Sequence, residues 1–315
     1  MFYKNKKVLV SGAGGLVGSQ VAKMLVEEGA IVRASYRSRE VPNWVGDVEK
    51  VKADFMNIED VKKCVEGMDI VFVCSANTSG AGVMAHDPLQ HVTPNLIMNS
   101  TLMEESYRAG VERFFFVSSA TTYPPADYPI KEEEVYNGEP YKTYFGVGWM
   151  KRYTEILAQF YHRNNFMKMA MVRPANIYGV QGDFSDETGH VLPALIRRAL
   201  EKQDPYIVWG NPDVVRDFTH SEDMARACLD VVEKYAVCDP VNIACGNLVT
   251  IGEAVDLILK CSGHDVTPQY DETKPVTIQY RALDTTKAKD VLGYVPKVSF
   301  EDGIQQTVNW IMENM

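Results

Sequence analysis

Short apolar runs alternate with longer amphipathic segments through the first 174 residues of this chain. Short runs rich in Val, Ile and Phe are typical of buried strands, whereas apolar residues spaced three and four apart are typical of helices. The predicted strands cover residues 8–11, 31–35, 49–53, 70–74, 113–118 and 169–173, and the helices between them include residues 61–66 and 95–109. Strands that alternate with helices in this way predict a parallel, doubly wound α/β sheet.

After Pro174 the alternation breaks down, because loops rich in Gly, Asp and Pro separate the remaining segments. One later run, residues 241–244, has the character of a buried strand, and we expect it to return to the sheet. We therefore predict a sheet domain of residues 1–174 plus about 206–244, and a smaller, mixed lobe of residues 175–205 plus 245–315 that binds the substrate.

A glycine-rich turn, KVLVSGAGGLVGS over residues 7–19, joins the first strand to a helix. The spacing of Gly12, Gly15 and Gly18 lets backbone N–H groups approach a pyrophosphate, and the helix N-terminus adds about half a positive charge. The alternative is an ordinary turn of any α/β protein. A second strand one helix later favours a dinucleotide site in a Rossmann-type sheet. The predicted cofactor contacts in the turn are Gly12, Gly14, Gly15, Leu16 and Val17.

Further cofactor contacts are expected at the carboxyl ends of the other strands, where ligands of such sheets lie. After the second strand, an acidic residue would bind a ribose 2′-hydroxyl, but the chain has Arg37 and Arg39 there. These arginines favour the 2′-phosphate of NADP, unless they are ordinary surface charges. The other predicted contacts at strand ends are Asp54, Phe55, Ala76, Asn77 and Ser118.

Composition excludes several classes of partner. The 315 residues carry a net charge of −10 with no basic cluster, so we expect neither nucleic acid nor an anionic membrane as a partner. No apolar run approaches the roughly 20 residues of a membrane span, and the N-terminus lacks a signal-peptide core, which predicts a cytoplasmic protein. The six cysteines have no paired spacing, so we expect reduced thiols and neither a disulfide nor a metal site.

Several longer motifs resemble the extended short-chain dehydrogenase/reductase family, the NAD-dependent epimerases and dehydratases that modify nucleotide sugars. The motifs are the glycine turn from Gly12, SSATTYP from Ser118, Lys151 with Glu155, RPANIYG from Arg173 and RDFTHSEDMARA from Arg216. Three further segments, starting at His190, Ile207 and Arg281, resemble the GDP-fucose synthase members. The resemblance implies an NAD(P)-dependent enzyme with a nucleotide-sugar substrate, most similar to GDP-linked ones, although other bases stay open.

The resemblance places the family's catalytic serine on Ser119 and its lysine on Lys151. That lysine holds the nicotinamide ribose and lowers the pKa of a tyrosine four residues earlier, but this position holds Val147. Tyr144 lies seven residues before the lysine, about 10 Å along a continuous helix. It can therefore substitute only if the segment before Gly146 unwinds. The other candidate proton partners are a water on Ser119 or Thr121, and a relay through the ribose hydroxyl to Lys151.

The resemblance to the GDP-fucose synthases places their epimerising cysteine and histidine at Thr121 and His190, where this chain keeps only the histidine. Because a threonine hydroxyl barely ionises near neutral pH, double epimerisation is disfavoured, and His190 either binds substrate or packs at a helix start. The segment TTYPP from Thr121 offers no carboxylate for 4,6-dehydration. We therefore predict oxidation at C4 of a GDP-hexose or GDP-heptose. The alternatives are a 4-keto-sugar reductase, an NAD-dependent 4-epimerase and a non-catalytic dinucleotide sensor.

The resemblance also supplies the remaining contacts. For the cofactor they are Lys151, Pro174 and Asn176, and for the nucleotide sugar Thr121, Asn176, His190, Val191, Arg198, Trp209, Arg216 and Arg281. Arginines facing a diphosphate make charge-assisted hydrogen bonds, whereas each arginine alone is more often a surface charge. For Arg281 the competing interpretation is a salt bridge with Asp284.

Cofactor choice and assembly complete the predictions. Because an oxidising enzyme, or one that keeps its nicotinamide bound, ordinarily uses NAD, we place NAD ahead of NADP despite Arg37 and Arg39. Relatives commonly pair the helices at residues 95–109 and 149–161 in a four-helix bundle, which predicts a homodimer or higher homo-oligomer. Alternatively these helices only cover the sheet, in which case Met98, Leu102, Leu157 and Tyr161 belong to the core.

Overall fold

The computed structural model describes residues 1–78, 87–185, 189–274 and 278–314. The strands in chain order are β1 (Lys7–Ser11), β2 (Ile31–Tyr36), β3 (Glu49–Lys52), β4 (Ile70–Val73), β5 (Arg113–Val117), β6 (Lys168–Pro174), β7 (Asn176–Tyr178), β8 (Ile207–Trp209), β9 (Val215–His220), β10 (Val241–Ile243), β11 (Leu248–Thr250), β12 (Gln269–Asp271) and β13 (Tyr280–Arg281). The α-helices are α1 (Leu16–Glu27), α2 (Ile58–Val65), α3 (Thr93–Arg108), α4 (Phe145–Arg163), α5 (Val191–Leu200), α6 (Ser221–Lys234), α7 (Ile251–Ser262), α8 (Thr286–Leu292) and α9 (Phe300–Asn314).

A parallel sheet of seven strands forms the larger part of the described structure, in the order β10-β6-β5-β4-β1-β2-β3. All six strands predicted from the first 174 residues join it, and the predicted return of residues 241–244 is β10. The predicted α/β, Rossmann-type fold class is therefore confirmed.

Helices cover both faces of the sheet, because successive side chains of each strand point to opposite sides. In β1, Val8 and Val10 pack into one core cluster with α1 and α6, whereas Leu9 packs into the other with α2, α3 and α4. The central strand β4 is buried along its whole length, which explains its uninterrupted apolar sequence.

The lobe has its own core, built around a second sheet of β11, β9 and β13 with β7 beside β9, and a separate pair of β8 and β12. The predicted boundaries differ from this arrangement. Of residues 206–244, which were predicted to belong to the sheet domain, β8 and β9 have their strand partners in the lobe, whereas α6 and β10 return to the larger sheet. Helix α8 was predicted to belong to the lobe, but its Ala288 and Leu292 pack into the core of the larger sheet. An apolar run alone does not specify which sheet a strand joins.

Helices α3 and α4 lie side by side on the larger sheet. Met98, Leu102 and Tyr161 are buried in its core and Leu157 packs against them, so these four residues cover the sheet. A different face of α4 is apolar and exposed, and it carries Phe145, Trp149, Tyr153, Ile156 and Phe160. No helix among the described residues has the length and apolar character needed to cross a bilayer.

Candidate active site

The glycine turn has the geometry that close approach of a pyrophosphate requires. Gly12 has φ +67°, and a methyl group there would lie 2.8 Å from the Cα atom of Ser75. Helix α1 begins directly after Gly15, with no side-chain cap and no acidic residue in its first turn. The first N–H groups of a helix lack intrahelical acceptors and carry partial positive charge. The start of α1, including Leu16 and Val17, therefore fits a dinucleotide pyrophosphate.

The ends of β1 and β4 are fixed to each other beside this turn. The hydroxyl oxygen of Ser11 lies 2.9 Å from that of Ser75 and accepts the backbone N–H groups of Cys74 and Ser75 at 3.1 Å. Asn95 accepts the backbone N–H of Asn77 at 2.7 Å and donates to its carbonyl at 2.9 Å. Sequence reasoning missed Ser11 and Asn95, because no local motif shows which strand end a side chain will reach.

Ala76 and Asn77, at the end of β4, differ in their surroundings. The side-chain amide of Asn77 donates a hydrogen bond to the carbonyl oxygen of Gln90 at 3.1 Å, whereas Ala76 is exposed. At the end of β3, Asp54 is exposed and its carboxylate accepts the N–H of Met56 at 3.0 Å. The ring of Phe55 is buried in the core and offers nothing to a ligand, which corrects the prediction for its side chain.

The two arginines after β2 do not form a pair. Arg37 is exposed. Arg39 reaches across to the loop after β7, where its Nη1 donates to the carbonyl oxygens of Gln181 at 2.7 Å and Gly182 at 3.0 Å. The two-arginine site for a 2′-phosphate suggested by the sequence is therefore not assembled in this structure.

Lys151 lies in a buried position under the end of β5. Its Nζ donates to the carbonyl oxygen of Val117 at 2.7 Å and lies 4.6 Å from the centre of the Phe116 ring. Burial lowers the pKa of Lys151 to about 8, although the nearby carboxylate of Glu155 acts in the opposite direction. A lysine in this state exchanges protons near neutral pH.

The hydroxyl groups after β5 face different surroundings. The Ser118 hydroxyl donates to Glu155 at 2.5 Å and so is turned into the interior, which corrects its prediction as a side-chain contact of the cofactor. Ser119 is half-buried, and its Oγ accepts the N–H of Thr121 at 3.1 Å. The Oγ1 atom of Thr121 is buried and has no hydrogen-bond partner among the described residues. Of these predicted hydroxyls, Ser119 and Thr121 stay available for a ligand.

A buried ion pair supports the helix that carries Lys151. Arg173 donates to both oxygens of Glu155, at 2.9 and 2.7 Å, and to the Tyr123 hydroxyl at 3.0 Å. The side chains of the pair are only 4% and 1% exposed. Helix α4 is thereby fixed to β6, one turn beyond Lys151.

The segment before Lys151 is irregular, as a role for Tyr144 would require. Helix α4 begins at Phe145, and Lys142–Tyr144 form a separate 3-10 turn before it. Val147 is half-buried one turn before Lys151. The half-buried phenol of Tyr144 lies within electrostatic range of Arg216 and Arg281. Tyr144 is thus associated with the arginines of the lobe.

Arg216 and Arg281 are direct neighbours on β9 and β13. Both are buried, at 6% and 5% exposure. Arg216 donates to the carbonyl oxygens of Val215 and Ile278, at 2.7 and 2.5 Å. Arg281 makes one long hydrogen bond, 3.5 Å to the carbonyl oxygen of Pro124, and its Nη2 has no partner among the described residues.

The surroundings of this arginine pair disfavour its charge. Burial lowers the pKa of Arg216, and it lowers that of Arg281 to about 10, with the charge of Arg216 acting in the same direction. The competing salt bridge to Asp284 does not form, because that carboxylate accepts the N–H of Thr286 at 2.9 Å. Two adjacent buried guanidinium groups with an unsatisfied N–H group fit an anionic ligand such as a diphosphate.

The remaining predicted residues surround the lobe side of the site. His190 immediately precedes α5 and is exposed, as is Val191 in the first turn. Arg198 donates to the carbonyl oxygen of Ile207 at 3.0 Å. Trp209 is 44% exposed and its ring lies 5.7 Å from the Lys274 Nζ. Pro174 ends β6 and is buried, and Asn176 begins β7, half-buried.

Two comparisons of the sequence with known proteins agree with each other. The profile of the NAD dependent epimerase/dehydratase family matches residues 8–244. The chain is 29% identical over 324 residues to a putative GDP-L-fucose synthase 2 from Arabidopsis thaliana, with 100% of this chain and 94% of that protein covered.

Solved structures agree with this result. UDP-glucose 4-epimerase from Thermotoga maritima, solved with UDP-glucose, has a TM-score of 0.86 and 27% identity, with 98% of this chain and 99% of that chain covered. MoeE5, solved with UDP-glucose and NAD, has a TM-score of 0.84 and 25% identity, with 98% of this chain and 99% of that chain covered.

Proposed function

Because the chain belongs to the NAD-dependent epimerase/dehydratase family, we propose that it is a nicotinamide-dependent oxidoreductase that acts at C4 of a nucleotide sugar. The proposed substrate is a GDP-linked hexose or heptose, which the enzyme oxidises. A similar protein named GDP-L-fucose synthase supports the GDP-linked class. The alternatives are a reductase of a 4-keto-sugar and a nucleotide-sugar 4-epimerase, and the likeness to a UDP-glucose 4-epimerase supports the latter.

The observation that carries the nucleotide-sugar proposal is the buried pair Arg216 and Arg281. Burying a guanidinium group costs free energy unless an anion or a full set of acceptors faces it. Arg281 has neither among the described residues, since its Nη2 is unsatisfied and its one acceptor lies 3.5 Å away. A diphosphate would supply the missing acceptors. We therefore assign this pair, together with the predicted contacts Arg198 and Trp209, to the nucleotide part of the substrate.

The residues at the end of β5 are assigned to the reacting part. When bound, the nicotinamide cofactor supplies the hydride acceptor. Ser119 and Thr121 have hydroxyl groups that can hold the C4 oxygen in place. Lys151 carries the proton exchange at Nζ, because its pKa of about 8 suits this role and the preceding turn holds Val147 in place of a tyrosine. His190 and Asn176 are assigned to the sugar.

The proposed cofactor is NAD. The alternative, NADP, would need cations for its 2′-phosphate at the end of β2. Arg39 already donates to two carbonyl oxygens, which leaves Arg37 there. The likeness to a protein solved with NAD also supports this choice.

Turnover of a substrate panel tests the proposal. Purified protein is incubated with GDP-sugars and, in parallel, UDP-sugars, with and without a 2-keto acid and a dehydrogenase that regenerate oxidised cofactor. A keto product that needs the regenerating system supports C4 oxidation. An epimer formed without the regenerating system supports the 4-epimerase, and a protein that turns over none of the panel contradicts both.

Self-association through α4 belongs to the same proposal. The exposed face of this helix carries Trp149, Tyr153, Ile156 and Phe160, each between 39% and 54% exposed. Contiguous apolar patches of this kind mark interaction surfaces. We propose that α3 and α4 pair with the same helices of a second copy in a homodimer. A cytoplasmic location remains a prediction from the sequence.

A further inference from the structure

Arg39 connects two parts of the chain that are far apart in sequence. It follows β2 in the larger sheet, and its guanidinium binds the carbonyl oxygens of Gln181 and Gly182 in the loop after β7, which leads into the lobe. Both hydrogen bonds come from Nη1, at 2.7 and 3.0 Å. The side chain is therefore a direct connection between the β2 end of the crevice and the lobe.

The loop that Arg39 reaches is itself fixed to the lobe. Gln181 has φ +64°, which turns the chain sharply at the point of contact. Three residues on, the ring of Phe184 stacks on Trp310 of α9 at a centroid distance of 5.8 Å. Asp183 accepts the N–H of Ser185 at 3.0 Å. The arginine thus binds an anchored loop, so the connection ties two parts of the fold together.

The backbone of Arg39 lies directly against the glycine turn. A methyl group at position 14 would lie 2.0 Å from the carbonyl oxygen of Arg39. The N–H of Ala13, the preceding residue, donates to the carbonyl of Ser35 at 2.9 Å. The backbone of Arg39 therefore lies at the turn that fits the pyrophosphate, and its guanidinium lies at the loop of the lobe. In a Rossmann-type sheet the adenosine of a bound dinucleotide is expected at the end of β2, which Arg39 follows.

We propose that Arg39 is a specificity and retention residue, which fastens the loop at Gln181 and Gly182 across the adenosine end of the crevice and slows release of the bound dinucleotide. This inference rests on the proposed nicotinamide binding. Both hydrogen bonds come from Nη1, and a 2′-phosphate that drew this group away would have to compete with the two carbonyl oxygens.

The test measures cofactor release from the full-length protein. Reduced NAD is bound, an excess of oxidised NAD is added, and the loss of nicotinamide fluorescence gives the dissociation rate. The variants are Arg39→Ala, Arg39→Lys and, as a matched control, Arg108→Ala. The control also removes an exposed arginine with two hydrogen bonds, which Arg108 makes to Glu104 on α3, away from the glycine turn.

We expect Arg39→Ala to release the cofactor about tenfold faster, because two hydrogen bonds of ordinary strength hold the loop. Arg39→Lys keeps one donor and should fall between this variant and the wild type, whereas Arg108→Ala should stay within twofold of wild type. The affinity for NADP relative to NAD should rise or stay equal in Arg39→Ala.

Two results would overturn the inference: wild-type release rates in Arg39→Ala, or a selective loss of NADP affinity in that variant, which would mean that Arg39 binds a 2′-phosphate. A wild-type protein that binds neither dinucleotide would instead contradict the proposed function. Because the wild-type binding measurement comes first, the two failures are distinguishable. Circular dichroism of each variant checks that the fold is intact.

Discussion

Replacing Arg281 by methionine should stabilise the free protein and weaken substrate binding. The side chain is 5% exposed, and its pKa is lowered from the ordinary arginine value to about 10, first by burial and further by Arg216. Each tenfold change in a protonation equilibrium is worth about 1.4 kcal/mol, so the charged form costs roughly 3 kcal/mol in the folded state. Methionine has a similar reach and no charge.

The sign of this effect is the same over the whole neutral range. Below pH 10 the guanidinium is charged in both the folded and unfolded states, so the full cost is present; it is relieved only as the pH rises above about 10. The long hydrogen bond to Pro124 offsets little of it. We expect Arg281→Met to raise the free energy of unfolding by about 1–2 kcal/mol at pH 7, after allowance for imperfect packing.

Binding should change in the opposite direction. A charge-assisted hydrogen bond contributes about 1.5–3 kcal/mol, which predicts a 10- to 100-fold higher Kd for GDP. Urea denaturation measures the stability and isothermal titration calorimetry measures the affinity, with Arg108→Met as the control for both. A variant that is less stable than wild type, and whose Kd for GDP is within twofold of the wild-type value, would refute the idea that Arg281 is a destabilising buried charge that binds an anionic ligand.

Three other predictions concern the proton partner, the buried ion pair and the assembly. The rate of sugar oxidation should rise with pH through about 8 as Lys151 loses its proton, and Lys151→Met should abolish this rise. A pH profile that is unchanged in the variant would exclude Lys151 as the proton partner. Glu155→Ala should lower the free energy of unfolding, measured in urea, by about 3–5 kcal/mol, because it leaves the Arg173 guanidinium buried without its carboxylate. The control variant Glu253→Ala, at an exposed helix cap, should lower it by about 1 kcal/mol. Equal losses in the two variants would contradict this account. Ile156→Glu should convert a dimer to a monomer in light scattering, whereas Lys63→Glu on α2 should not; an unchanged mass would place the interface elsewhere.

The larger sheet could be predicted because its signals are local. A run such as IVFV at β4 is apolar at every position only when both faces of the strand are covered, and the glycine turn after β1 specifies a strand followed by a helix. The lobe is harder to predict, since β8 pairs with the later strand β12, and β9 pairs with the earlier β7 and the later β11 and β13. Their pairing depends on contacts that no local pattern records.

The candidate site divides along the same line. Residue types at strand ends predicted which positions reach a ligand; among them Ala76 is exposed, Ser119 is half-buried and the Thr121 hydroxyl has no hydrogen-bond partner among the described residues. What the sequence could not predict is which side chains the protein already uses: the hydroxyl of Ser118 is taken by Glu155, and the guanidinium of Arg39 by the loop of the lobe. Both partners are distant in sequence, so these hydrogen bonds can be seen only in the folded structure.

Transfer of the hydrogen on C4 of the sugar tests the central claim most directly. A GDP-hexose carrying deuterium at C4 is incubated with the protein and oxidised NAD, and the nicotinamide is then analysed by mass spectrometry. The account predicts reduced nicotinamide that carries the deuterium, together with a 4-keto sugar. Deuterium that stays on the sugar while another carbon is oxidised, or reduced nicotinamide without the label, would contradict it.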